Sequence, residues 1–198
     1  MDKTTIIIVA AVLIVLIIAG LVLMQRRRTE QLKSQFGAEY DRALKEAGDK
    51  RKAEAELEDR RKRVEKLSIR PLDPAQRDRF IDQWEHVQAE FVDNPENAVR
   101  DADILLQEVM SARGYPVQNF DQVAADVSVD HPTVVQHFRT AHDIAVRHRH
   151  GEGNTEDLRN AMINYRALFD ELAKERGPSG ANEPAKADRE LNAAEDHR

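Results

Sequence analysis

Hydrophobic and polar positions divide this chain into three regimes. Residues 6–24 are nineteen consecutive positions with no charge and no strongly polar side chain. As a helix rising about 1.5 Å per residue the run spans roughly 28 Å, close to the hydrocarbon thickness of a bilayer. Lipid offers backbone polar groups no water, so such a run is stable there only as a helix. The pattern predicts a single transmembrane anchor over residues 4–25. The run is longer than the roughly 7–15 apolar residues of a secretory signal. It also continues through Leu21, Val22, Leu23 and Met24, past Ile17-Ile18-Ala19, the one small-residue cleavage candidate.

Over residues 26–70, a charged helical stalk and linker, the pattern narrows to an apolar stripe in polar surroundings. Leu32, Phe36, Tyr40, Ala43, Leu44 and Ala47 fall within an arc of roughly 120° at helical spacing. After Gly48-Asp49 the stripe resumes with Ala53, Leu57, Val64 and Leu67, with Arg60 inside it. Glu56/Arg60, Glu58/Lys62 and Asp59/Arg63 place each acid four residues before its base, which supports an exposed helix. Two arrangements fit: a continuous stalk able to form a weak homo-oligomer with a second copy, or a hairpin folded at Gly48. The seam is too short and interrupted to specify a coiled coil.

Residues 71–176 read as a soluble all-α domain of four to five helices. Asp73-Pro74 and Asn94-Pro95 each pair a capping residue with a proline at the first helical position. Phe80, Trp84, Val87 and Phe91 then keep to one face, as do Val99, Ala102, Leu106 and Val109 before the stop at Gly114. A short helix is expected over residues 119–127, and another opening at Asp130-His131-Pro132. Thr155 is the expected cap of the last helix, whose Leu158, Ala161, Tyr165, Leu168 and Leu172 give the cleanest face. No run alternates like a strand. Residues 177–198, with Leu191 as their one large apolar residue, are expected to be a disordered tail.

Charge adds an orientation. Residues 26–67 carry fourteen basic and ten acidic side chains, whereas residues 68–198 carry fifteen basic and twenty-five acidic. Arg26, Arg27 and Arg28 directly follow the apolar run, so the positive-inside rule puts the amino terminus outside and the carboxyl-terminal domain in the cytoplasm. An acidic distal domain argues against nucleic acid as a ligand. The absence of cysteine excludes disulfides, thiolate metal sites and cysteine nucleophiles.

The search for chemistry yields candidates rather than a motif. His137, His142, His148 and His150 lie on or just after one helix, but no pair has the i,i+4 spacing that converges on zinc. His142 alone falls within the apolar arc, and reads as a satisfied, partly buried histidine. Asp126-Val127-Ser128-Val129-Asp130 resembles the start of a calcium loop, but His131 and His137 replace the glycine and the closing glutamate. No catalytic residue, cofactor or metal is assigned. Arg113 and Tyr115, beside the turn at Gly114-Pro116, are candidate partner contacts, since both types are frequent in interface hot spots. The same stretch reads more simply as a helix stop with the tyrosine packed over it.

The strings Phe36-Gly37-Ala38-Glu39-Tyr40-Asp41-Arg42, Phe91-Val92-Asp93, Arg113-Gly114-Tyr115-Pro116, Ser128-Val129-Asp130-His131-Pro132 and Tyr165-Arg166-Ala167-Leu168-Phe169 carry a resemblance. They look like a family of uncharacterised small bacterial proteins with an N-terminal membrane anchor and a helical C-terminal domain. The resemblance supports this architecture and implies no activity. The resulting expectation is a non-enzymatic adaptor or scaffold, held to the lipid bilayer through residues 4–25, with a protein partner. The alternatives are a stalk-like subunit of a larger membrane complex, or an enzyme with dispersed acid/base residues around His142.

Overall fold

A computed structural model describes the backbone of residues 3–174 and the side chains of residues 12–173. The expected tail at 177–198, and the side chains of the first residues of the expected anchor, lie outside the described residues. Within them the chain is all-α, with eight helices and no strand.

Helix α1 (Lys3–Phe36) is continuous through the change from apolar to charged sequence. Over residues 12–24 its side chains stand exposed, from 45 % at Val22 to 72 % at Met24 among the large hydrophobics. From Thr29 onward one face is buried, with Leu32 and Phe36 in a packed cluster. Among the described residues no helix is long and apolar enough to cross a membrane. The described side chains of α1 supply the apolar run only from Val12 to Met24.

Gly37, at φ 50°, ends α1 and reverses the chain into α2 (Ala38–Ala47). Gly48 then takes a left-handed conformation at φ 65°, and its N–H donates to the Leu44 carbonyl. Asp49 caps α3 (Lys50–Val64) by accepting from the Lys52 N–H at 3.0 Å. The charged stretch is therefore a hairpin folded at Gly48, the second of the two arrangements that the sequence left open. The apolar stripe decides this. Tyr40, Ala43, Ala53 and Leu57 bury their surface against Leu32 and Phe36 of α1, with Val129 closing the cluster. An extended stalk would leave that surface in water.

The larger core belongs to α4 (Pro74–Asp93), α5 (Pro95–Arg113), α6 (Phe120–Asp130), α7 (Val135–Arg149) and α8 (Thr155–Lys174). The stripes read from the sequence meet here. Trp84 stacks on Phe169 with centroids 4.7 Å apart, and Leu106, Val109, Phe138, Tyr165 and Leu168 fill the centre. Asp73 and Gln76 form a reciprocal capping box ahead of α4, and Asn94 caps α5. Two boundaries differ from expectation. Helix α6 runs on to Asp130, because the His131 N–H still donates to Val127, so α7 starts only at Val135. Asn154 rather than Thr155 caps α8, accepting from the N–H groups of Glu156 and Asp157.

The linker between α3 and α4 joins the two cores. Ile69 packs against both, and the Arg70 N–H donates to the Arg113 carbonyl at 2.9 Å. Gly114, at φ 100°, lies so close that an added Cβ would stand 2.6 Å from the Ser68 carbonyl oxygen.

Candidate functional site

Three features of the folded chain gather polar groups or exposed apolar surface. The first is a buried ion cluster between the hairpin and α7. Glu39 on α2 is 2 % exposed and accepts from Arg60 of α3 at 3.4 Å and from Arg139 of α7 at 3.2 Å. Arg42 lies 3.6 Å from its other oxygen, and Arg60 also pairs with Glu56. Arg60, an interruption in the stripe when read along the chain, is thus a buried charge with a buried counter-charge. Burial lowers the Arg139 pKa, and Glu39 opposes that shift. Above the cluster lies a cleft of about 1020 Å³, reached by Lys52, Arg63 and Gln122. Its basic groups alternate with Glu46, Glu56, Asp59 and Asp121, which leaves no strongly single-signed floor.

The second feature surrounds Asp103 on α5. The Tyr165 hydroxyl donates to its Oδ1 at 2.9 Å, and the Gln107 amide to its Oδ2 at 3.1 Å. His142 approaches with Nδ1 3.8 Å from Oδ1, and Phe120 stacks on the imidazole at 3.6 Å between centroids. Burial pushes the Asp103 carboxyl up, but the contacts from His142 and Tyr165 outweigh it, so its pKa falls below the ordinary value. The same burial and the nearby carboxylate raise the Tyr165 hydroxyl. The result is an ionised carboxylate steadying an imidazole and a phenol, a joint between α5, α7 and α8.

The third feature is a groove of about 490 Å³ between α4 and α5. Val87, Ile104 and Leu105 form its floor, and Asp82, Glu90, Asp101 and Glu108 most of its rim. Ile104 is 49 % exposed.

The residues singled out in the sequence fall in different places. Arg26, Arg27 and Arg28 are exposed on α1, directly after the exposed apolar run. Arg113 and Tyr115, the candidate partner contacts, are buried, 2 % and 3 % exposed, and engaged within the fold. Arg113 donates to the Leu172 carbonyl at 3.1 Å, and Tyr115 to Asp130 at 3.0 Å. The helix stop accounts for both. His148 lies 3.9 Å from Glu96, His150 follows the end of α7, and His137 contacts Asn164. Among the described residues no three His, Cys, Asp or Glu side chains converge as metal ligands.

Reading the sequence missed Glu39 and Asp103 because their partners are remote. Arg139 is 100 positions from Glu39, and Tyr165 is 62 from Asp103. The one available signal was a charge inside an apolar stripe at Arg60. No family model, curated protein or solved structure matches this chain.

Proposed function

We propose that the chain is a membrane-anchored, non-enzymatic interaction module of adaptor or scaffold type, with its helical domain on the cytoplasmic face. One observation carries the reading. Over residues 12–24 α1 holds its large apolar side chains in the open, and the same helix runs without a break into a packed domain. Exposed apolar surface of this extent is costly in water and favourable in lipid. Arg26, Arg27 and Arg28 at its end supply the charge bias that keeps the following domain inside.

The continuity of α1 adds a mechanical element. Thr29, Leu32 and Phe36 are built into the hairpin cluster, so the domain stands close to the bilayer without a flexible spacer. The groove between α4 and α5, with its apolar floor and acidic rim, is the surface that suits a protein partner. An enzymatic reading rests on the Asp103–His142 contact. In that cluster the ring is stacked and the carboxylate is already occupied by Tyr165 and Gln107, which favours a structural role.

Alkaline carbonate extraction of membranes, combined with reporters fused after Leu172, tests the proposal. The chain should resist extraction, and a reporter active only outside the cytoplasm should stay silent. Release by carbonate removes the anchor. An active external reporter reverses the topology and replaces the cytoplasmic adaptor with an envelope-facing module.

A further inference from the structure

The hairpin returns a second group of basic side chains to the point where the apolar part of α1 ends. Helix α3 runs parallel to the polar half of α1. Thr29 donates to Glu54 at 2.7 Å, Leu57 shares a cluster with Leu32, and Arg61 lines the same cavity as Gln35. From Glu54 back to Lys50 a helix descends about 6 Å, at about 1.5 Å per residue. Lys50 therefore lies level with Gln25, one residue past Met24. Its ammonium stands 3.6 Å from the Glu54 oxygen that Thr29 contacts, an i,i+4 pair within α3 that leaves the lysine side chain about half exposed.

Helix α2 runs the opposite way and delivers Lys45 to the same end of the hairpin. Lys45, Lys50, Arg51 and Lys52 are all exposed, as are Arg26, Arg27 and Arg28. The exposed acids at this level are Glu30, Glu46 and Asp49, and the buried Glu54 pairs with Lys50. Two of the exposed acids are occupied: Glu46 pairs with Arg42 at 2.6 Å, and Asp49 caps α3. The amino-terminal end of α3 adds the positive end of its dipole, offset in part by the Asp49 cap.

We propose that the hairpin turn and the start of the polar half of α1 form one composite basic collar, which binds the anionic headgroups of the bilayer that holds α1. The inference rests on the anchored reading above and extends it. Attraction between a basic side chain and an anionic leaflet fades within a Debye length of about 8–10 Å, so only groups at the level of the surface take part. Residues 45–52 are some twenty positions from the anchor in sequence, and the fold alone places them there. A collar reaching to one side of α1 also resists tilting of the domain, since tilting would lift the turn from the headgroups.

The test uses the full chain reconstituted in phosphatidylcholine vesicles containing trace spin-labelled lipid. The fraction of motionally restricted phosphatidylserine is compared with that of phosphatidylcholine. The unaltered chain should prefer phosphatidylserine by about threefold or more at low salt, falling towards unity in 1 M salt, where the Debye length is about 3 Å. The variant Lys45→Gln/Lys50→Gln/Arg51→Gln/Lys52→Gln should lose at least half of that preference while keeping its helical circular dichroism and carbonate resistance. A milder Lys50→Gln/Arg51→Gln variant should fall between them. Unchanged selectivity in both variants would overturn the collar and leave the anchor standing, as would a lack of salt-sensitive selectivity in the unaltered chain. Release of the unaltered chain by carbonate would overturn the anchored reading, and the collar with it.

Discussion

Glu39 on α2 and Arg139 on α7 meet at 3.2 Å across 100 positions of the chain, both almost fully buried. This contact ties the charged hairpin to the main helical core. A buried ion pair is poor evidence of net stabilisation, but removing one partner strands the other's charge. Glu39→Gln would leave Arg60 and Arg139 without their shared counter-charge and should cost about 3 kcal/mol. Chemical unfolding of the full chain in detergent, followed through Trp84, the single tryptophan, measures this. The double variant Glu39→Gln/Arg139→Met should recover part of the loss. A loss below about 0.5 kcal/mol in the single variant would show that water reaches the cluster freely.

At Trp84 two substitutions should separate packing from hydrogen bonding. The ring stacks on Phe169 at an interplanar angle of 13°, and its Nε1 has no hydrogen-bond partner among the described residues. Trp84→Ala should therefore cost about 3–5 kcal/mol. Trp84→Phe keeps a stacked ring and removes an unsatisfied donor, so it should cost under about 2 kcal/mol. Thermal unfolding followed by circular dichroism reads both. Equal losses would point to an unseen partner of the indole N–H.

Gly114 and Gly48 should respond differently to alanine. Both have positive φ, but only at Gly114 would a Cβ meet backbone, the Ser68 carbonyl oxygen at 2.6 Å. Gly48→Ala should cost about 1 kcal/mol, the ordinary left-handed penalty. Gly114→Ala must in addition push away the linker and its Arg70–Arg113 hydrogen bond, for a loss of about 2 kcal/mol or more. Chemical denaturation of the two variants side by side decides the order. A reversed order would contradict the linker's packing.

The Asp103 carboxyl should leave a mark on acid stability. Its pKa is lowered in the folded chain from an ordinary 3.8, so the folded state holds its proton less tightly than the unfolded state. The stability it contributes is therefore complete above about pH 4 and is lost as pH falls through the lower folded value. Tyr165→Phe removes one donor to this carboxylate and should cost about 1–2 kcal/mol near neutral pH. The penalty should shrink as the solution is acidified below pH 4. A penalty independent of pH would mean that Asp103 is not charged in the fold.

Helix identity was determined locally, and the sequence by itself was sufficient for it. Phe80, Trp84 and Val87, or Leu158, Ala161, Tyr165 and Leu168, recur at the helical period because each helix must bury one face, and that period is visible without a partner. Asp73 with Pro74 and Asn94 with Pro95 fix helix starts through chemistry within four residues. The run over residues 12–24, with the arginines after it, is equally local, because apolar length and flanking charge need no tertiary context to be read.

What required the tertiary structure is whatever depends on which faces meet. The stripe from Leu32 to Ala47 is the same in a stalk and in a hairpin. Only the burial of Tyr40 and Leu57 against Phe36 selects the fold at Gly48. Arg113 and Tyr115 have the composition of a contact surface, and the packing of the linker and α8 turned them inward. Arg60 cannot be placed until Glu39 and Arg139 arrive from two other helices, nor can the carboxylate of Asp103 until Tyr165 and His142 arrive from theirs. Periodicity reports that a face is buried. The partner that buries it is set by chain topology, which brings distant residues together only when the whole chain has folded.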